Sequence, residues 1–157
     1  RCCDGGARAA RTARAQRMDD DLDTLRGLFA RSPFMVDLGV EPVAGAPGRI
    51  TASLPLARRH QQHTGQTHAG VMAALADHTM GSAAQTLAAQ GRWAITAELK
   101  TSLLRPGVGE RLVCEAWVLK AGRSLSFTEA EVYAEGPGPR TLVMKASATM
   151  ALVAMRD

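Results

Sequence analysis

The residue best suited to chemistry in this sequence is Asp77, the one carboxylate in the apolar segment THAGVMAALADHTMGSAA, Thr67 to Ala84. A lone acid among Ala, Gly, Met, Val and Leu needs a partner or a task, because burying an unpaired charge is costly. A carboxylate in such surroundings can act as a nucleophile or as a general base on water. Asp77 is therefore the first candidate for a catalytic residue.

A second group of candidates precedes the same segment. Gln62, Gly65, His68 and Gly70 lead into the start of a predicted helix, and the free N–H groups of a helix N-terminus can hold developing negative charge. A helix start that polarises a carbonyl, with a carboxylate two turns later, is an arrangement suited to hydrolysis. The alternative is structural, with Asp77 paired to an arginine of a partner or bonded to a loop at a dimer interface.

Small residues dominate the helix face around Asp77. The opposite side is expected to pack on a sheet, so the small-residue face is expected to meet another backbone or a slender ligand. On a helical wheel the neighbours of Asp77 are Gly70, Ala73, Ala74, Met80, Gly81, Ala84 and Ala88, and the opposite side carries Val71, Met72, Leu75 and Thr79.

The elements that must position these residues predict an α+β fold. One helix that is apolar nearly all round must be enclosed, and a single antiparallel sheet wrapped around it achieves this. Along the strand after this helix, alternation puts Ile95, Ala97, Leu99, Thr101 and Leu103 on one face. The expected order is a short acidic-start helix ended by Pro33, strands 36–43 and 49–56 around a turn at Gly45–Gly48, the long helix at about 69–89, and strands at 95–103, 111–120, 124–135 and 141–154.

Composition indicates one domain without a nucleic-acid partner. Five arginines against one aspartate in residues 1–17 account for the whole net charge of +4, so we expect a basic, disordered extension at 1–17 before a neutral domain at 18–157. No apolar run is long enough to span a membrane. We therefore expect a cytoplasmic protein that binds neither nucleic acid nor membrane.

Cysteine and histidine spacing favours neither a disulfide framework nor a metal site. Cys2 and Cys3 lie in the basic extension, and Cys114 stands alone in a predicted strand, where a small buried hydrophobic role is expected. The histidines at 60, 63, 68 and 78 match no tight zinc spacing. We expect no metal and no cofactor.

Several linked motifs resemble one family. The pattern Q-x-x-G-x-x-H-A-G-V-x-x-x-L-A-D, Gln62 to Asp77, is followed by G-x-A-A at Gly81 to Ala84. Further matches are TAELKTSLLRP, Thr96 to Pro106, and AGRSLSF, Ala121 to Phe127. Together they resemble the hot-dog-fold acyl-CoA thioesterases of the PaaI-like and 4-hydroxybenzoyl-CoA thioesterase type, over roughly residues 34–154. The resemblance implies one long central helix wrapped by a five- or six-stranded antiparallel sheet.

The resemblance also implies roles for individual residues. Asp77 becomes the catalytic nucleophile or general base, and the Ala69 backbone N–H, next to Gly70, polarises the thioester carbonyl. Gln62 holds water or the carbonyl, and His68 shapes the loop. Thr96 reaches the site from the facing subunit. Gly81 is a substrate-binding residue. Strand ends and turns near coenzyme A supply the other substrate-binding residues, Arg105, Gly122, Arg123 and Ser124.

The implied reaction is hydrolysis of an aromatic or short- to medium-chain acyl-CoA to the free acid and coenzyme A. Coenzyme A is then part of the substrate and not a cofactor. The implied assembly is a dimer or a homotetramer, a dimer of dimers, with active sites at the subunit interface. The acyl group itself cannot be read from the sequence.

Two departures from the family pattern stand near the site. The usual H-G-G is His68-Ala69-Gly70, and His78 follows the acid where a small or hydroxyl residue is common; we expect its ring to pack. Two other functions stay open, a non-catalytic acyl-CoA-binding or regulatory hot-dog protein and a hot-dog dehydratase or hydratase. No G-x-S-x-G nucleophile motif is present.

Overall fold

The computed structural model describes residues 22–154, so the expected extension at 1–17 lies outside the described residues. The helices are α1 (22–30), α2 (Pro33–Leu38) and α3 (Ala69–Gln85), with a short 3-10 turn at Arg58–His60. The strands are β1 (Glu41–Ala46), β2 (Arg49–Pro55), β3 (Arg92–Leu103), β4 (Arg111–Ala121), β5 (Leu125–Glu135) and β6 (Thr141–Ala154).

A single six-stranded antiparallel sheet wraps α3, which confirms the predicted hot-dog fold. The strand order is β1-β2-β4-β5-β6-β3, and α3 contacts every strand from β2 to β6. The buried side of α3 is built from small and flexible apolar residues such as Leu75, Ala76 and Met80. Because Ala76 is small and Met80 is unbranched, the helix backbone lies close to the sheet.

The small-residue face of α3 only partly matches its prediction. Met80 and Ala84 are completely buried in the core, whereas Gly70 is exposed and Asp77 and Gly81 are half-buried. The uncovered face is therefore narrower than the sequence predicts.

The long helix ends at Gln85, four residues before the predicted end at about Ala89. The Thr86 hydroxyl donates to the Ala83 carbonyl and accepts the N–H of Gly48. Thr86 thus provides side-chain hydrogen bonds to the backbone at the point where the helix stops. The Gln85 amide donates to the Arg92 carbonyl and accepts the Ala94 N–H, 3.0 and 2.9 Å. Gln85 thus fixes the start of β3 beside α3.

The prediction for residues 33–40 was wrong. α1 ends before Pro33, as predicted, but Pro33 also begins α2, and β1 starts only at Glu41, so that no strand spans the predicted range 36–43. Proline suits the first helical position, where its missing N–H would have had no partner. Gly39, with φ at 84°, then ends the helix in the left-handed conformation.

A bulge in β3 changes which side chains share a face. The register with β6 shifts between Thr96 and Glu98, so Thr96 and Leu99 lie opposite the inward-facing Met150 and Ala148. Ile95 lies on the other face, so the predicted common face for Ile95 and Leu99 was wrong. The bulge brings Thr96 onto the face that carries the helix.

The two edges of this sheet differ. β1 is six residues long, contains Pro42 and has a bulge between Pro42 and Ala44. β3 is twelve residues long and pairs only with β6 among the described strands. The outer edge of β3 therefore leaves a long row of backbone groups for another strand.

Candidate active site

A cleft of about 220 Å³ opens beside the middle of α3. One wall is α3 itself, another is the start of β3, and the cover comes from the end of α1 and the link to α2. Among its lining residues are Leu28, Arg31, Asp77, His78, Trp93 and Thr96. The cleft therefore contains the acid that the sequence singles out, with Gly81 from the predicted substrate-binding set beside it.

Asp77 is oriented by Thr96 of the same chain. The Thr96 hydroxyl donates to Asp77 Oδ1 at 2.7 Å, and no described residue donates to Oδ2. The expectation that Thr96 reaches Asp77 from a facing subunit is corrected by this contact, which the bulge in β3 makes possible. A carboxylate held through one oxygen keeps the other available for a substrate or a water molecule.

His78 packs, as expected, and its partner is Phe29 of α1. The two rings meet edge to face with centroids 4.5 Å apart. Burial lowers the pKa of the His78 imidazole, although the neighbouring Asp77 charge acts in the opposite direction. Its Nε2 atom is buried without a hydrogen-bond partner in the described part of the chain, so His78 is a neutral and imperfectly satisfied ring.

His78→Phe is therefore expected to raise the free energy of unfolding by about 1 kcal/mol, since an aromatic ring replaces a buried polar group that lacks a partner. The parent should also lose stability as the pH falls below 6.5, the ordinary histidine pKa. Below this pH the unfolded chain binds a proton on His78, whereas the folded chain, whose His78 pKa is lower, does not. Stability therefore falls with pH until the pKa of the folded protein is reached. Urea unfolding at several pH values measures both effects.

His60 adds to the same acid sensitivity, because burial also lowers its pKa. The His78→Phe variant should therefore lose less stability than the parent at low pH, but it should still lose the part that is due to His60. A His78→Phe protein less stable than the parent at neutral pH would contradict the assignment.

The first turn of α3 carries a free donor. His68 caps the helix, and its Nδ1 accepts the N–H of Gly70 at 2.9 Å. The N–H of Ala69 has no hydrogen-bond partner among residues 22–154. His68 shapes the helix start, and the Ala69 N–H remains able to polarise an oxygen.

His60 holds the loop before α3, and the sequence assigns no role to this residue. His60 is completely buried, its Nδ1 accepts the N–H of Ala57, and its Nε2 lies 2.9 Å from the Leu38 carbonyl. Because Nδ1 accepts, Nε2 carries the proton and donates to that carbonyl. The His60 carbonyl accepts the N–H of His68, so this ring positions the cap. No spacing in the sequence signals this role.

The predicted catalytic residues form two separate groups within one chain. Asp77 and Thr96 share the cleft, whereas Gln62, His68, Ala69 and Gly70 lie at the start of α3 or in the loop before it. Eight residues separate Ala69 from Asp77, which at about 1.5 Å per residue is about 12 Å along the helix. Gln62 does not bridge this gap, since its amide donates to the Thr64 hydroxyl within the loop.

The predicted coenzyme A residues lie away from the cleft. Arg105 donates to the Leu142 carbonyl at 3.0 Å, and the Gly122 N–H donates to the Leu125 carbonyl at 2.9 Å. Arg123 and Ser124 are exposed in the turn between β4 and β5. Their contact with coenzyme A stays a prediction.

Within residues 22–154, no three His, Cys, Asp or Glu side chains are grouped so as to hold a metal ion. Over the same part of the chain, no helix has the length and apolar character needed to cross a membrane.

Comparisons with known proteins identify the family to which this chain is similar. The model of the thioesterase superfamily matches residues 64–140, which contain both the helix start and the acid. A solved thioesterase family protein from Silicibacter pomeroyi is 33% identical, with a TM-score of 0.80, over 83% of this chain and 96% of that one. Human acyl-coenzyme A thioesterase 13 is 27% identical over 61% of this chain and 69% of its own length.

A more distant structure shares the fold. The PaaI protein from the phenylacetic acid degradation operon of E. coli is 17% identical, with a TM-score of 0.73, over 82% of this chain and 89% of that one. At this identity the likeness concerns the fold alone.

Proposed function

Since this chain belongs to the thioesterase superfamily and is a thioester hydrolase, we propose that it hydrolyses acyl-CoA and that Asp77 is its catalytic carboxylate. The products are the free acid and coenzyme A. The expected acyl groups are aromatic or of short to medium chain length. The similarity to acyl-coenzyme A thioesterase 13 supports coenzyme A as the carrier.

The observation that carries this proposal is the Asp77 carboxylate in an open cleft, held at one oxygen by Thr96. A thioester carbonyl is reactive enough for one carboxylate and one oxyanion donor to suffice. As a nucleophile, Asp77 would attack the carbonyl carbon and displace the coenzyme A thiolate, and water would then cleave the resulting mixed anhydride to the free acid and the Asp77 carboxylate. As a general base, it would take a proton from the water that attacks. Both roles place the same oxygen in almost the same position.

The oxyanion donor has to come from a second copy of the chain. Both the donor and the carboxylate must reach one thioester within hydrogen-bonding distance, and about 12 Å of helix separates Ala69 from Asp77 in one chain. An antiparallel α3 of a second copy would bring its Ala69 N–H opposite the first copy's Asp77. A two-fold dimer therefore forms two complete sites.

The β3 edge supports this dimer. Ile95, Leu99 and Leu103 are 52%, 38% and 54% exposed, although two of them lie on the face that carries α3. Apolar side chains on an unpaired edge strand favour pairing with another strand. We propose that β3 pairs with β3 of the second copy, and that dimers associate further into a tetramer.

Leu99→Lys is expected to convert the dimer into a monomer and to reduce thioesterase activity to background, because a charge would be buried between the two copies. Light scattering coupled to size exclusion measures the mass, and thiol release measures the activity. Leu119→Lys is the matched control, since Leu119 is 57% exposed on β4, away from this edge. A fully active Leu99→Lys monomer would contradict the two-chain site.

The proposed function is tested by free-thiol release from a panel of acyl-CoAs, short and long, aliphatic and aromatic. We expect turnover of at least one class, and the ranking by kcat/KM gives the acyl preference. If no thiol is released, binding of the same panel distinguishes a non-catalytic acyl-CoA-binding protein from one that does not recognise acyl-CoA.

A further inference from the structure

The cleft has a polar end that the hydrolysis of the thioester does not use. Arg31 stands at this end, and its guanidinium lies over the Trp93 ring, 4.5 Å from the centroid. No carboxylate of residues 22–154 forms an ion pair with Arg31. Stacking on an aromatic face fixes the plane of a guanidinium and leaves its N–H groups free to bind a planar anion.

A second free donor stands next to it. Ser32 precedes α2, yet its hydroxyl makes no capping bond to that helix, and it also lines the cleft. Of the other polar side chains that line the cleft, Gln85 binds the start of β3 and Thr96 donates to Asp77, whereas the His78 ring is buried against Phe29. Within residues 22–154, Arg31 and Ser32 therefore offer two donors without a hydrogen-bond acceptor, in a cleft whose proposed reactive acid is Asp77.

Part of the lining of the cleft is apolar or small. Leu28 and Ala94 line it, together with the bare backbone of Gly81. Such a surface suits a short run of methylene groups leading away from the thioester carbonyl.

Resting on the proposed function, we propose that the enzyme selects acyl-CoAs whose acyl group ends in a carboxylate, a half-thioester of a dicarboxylic acid, and that Arg31 and Ser32 bind this carboxylate. Asp77 would repel a second carboxylate in the same cleft, and the Arg31 cation offsets that repulsion.

Paired substrates of equal chain length test the inference. Adipoyl-CoA against hexanoyl-CoA, and suberoyl-CoA against octanoyl-CoA, differ only in a terminal carboxylate in place of a methyl group. The parent enzyme is expected to prefer the carboxylate member of at least one pair by about tenfold or more in kcat/KM, which is the effect of a charge-assisted hydrogen bond. Arg31→Met is expected to reverse that preference, and Ser32→Ala to reduce it by about threefold.

The control is Arg26→Met, which removes the same charge from the same part of the chain. Arg26 pairs with Asp23 at 2.9 Å and lies outside the cleft, so this variant should keep the parent's substrate ratio. Arg31→Lys keeps the charge without the planar fork and should retain part of the preference. Thermal unfolding of each variant confirms that it is folded.

The outcomes separate the inference from the function on which it rests. If hexanoyl-CoA and octanoyl-CoA are both hydrolysed as fast as their carboxylate partners, the function stands and the inference is wrong. It is also wrong if Arg31→Met slows both members equally, which would indicate a contact with coenzyme A. If neither these pairs nor any other acyl-CoA of the panel is hydrolysed, the proposed function fails, and the same ratio measured as binding affinity still decides the role of Arg31.

Discussion

Asp77→Asn is expected to lower kcat by between about a hundredfold and ten-thousandfold on whichever acyl-CoA the parent prefers. The amide keeps the size of the side chain and can still accept the Thr96 hydrogen bond, but it is neither a base nor a nucleophile. KM should change much less, because the carboxylate acts mainly in the transition state. Steady-state thiol release at saturating substrate measures the loss.

Asp37→Asn provides the matched control, because Asp37 is an exposed acid of α2 outside the cleft. It should keep the parent's kcat. Thermal unfolding of both variants excludes misfolding as the cause. An Asp77→Asn enzyme within a few-fold of the parent would remove Asp77 from the reaction and return it to a structural role.

Ala69→Pro is expected to lower kcat by about a hundredfold to a thousandfold, the usual effect of losing one oxyanion donor. Ala69 is the first residue of α3, where proline is well tolerated, and His68 already has the extended backbone that precedes a proline (φ −63°, ψ 136°). The substitution therefore removes one N–H, which has no other described partner, and little else. Steady-state kinetics and circular dichroism measure activity and fold.

Ala69→Gly keeps the N–H and removes only the methyl group, so it should stay active. Retained kcat in a folded Ala69→Pro protein would show that the donor lies elsewhere.

Mixing the two inactive variants tests whether the site is shared. In a hybrid dimer of Asp77→Asn and Ala69→Pro chains, one site carries both changes and the other carries none. Random association should then restore about one quarter of the parent's activity, because half of the dimers are hybrids with one intact site each. If both groups acted within one chain, the mixture would stay inactive.

The sequence was sufficient for the fold and for its central acid. The period changes from helical before Gly91 to alternating after it, and this change predicted α3 followed by the strands; β6 was predicted with its observed bounds. The prediction failed where one residue has two roles. Pro33 both ends and begins helices, and periodicity alone cannot choose between them. It also failed at the β3 bulge, since one extra residue reverses which side chains face the helix.

The site was predicted in part. Asp77 stands out because an acid in an apolar helix is rare, and it lines the cleft together with Gly81, while its catalytic role stays a prediction. Its contact with Thr96 within one chain depends on the bulge and could not be read from spacing. Arg31 and Trp93 are far apart in sequence and carry no motif, so only the packing of α1 against the start of β3 brings them together.

The unequal edges of the sheet also bear on how the protein avoids fibres at high concentration in a cell. A strand edge that pairs with its own copy around a two-fold axis is used up by that pairing, so growth in this direction stops at two chains. Growth from the opposite edge is opposed by the missing donor of Pro42 and by the bulge beside it. In the proposed dimer, replacing Pro42 would therefore be expected to change aggregation more than catalysis, because the paired sheet would gain two ends at which further strands could add.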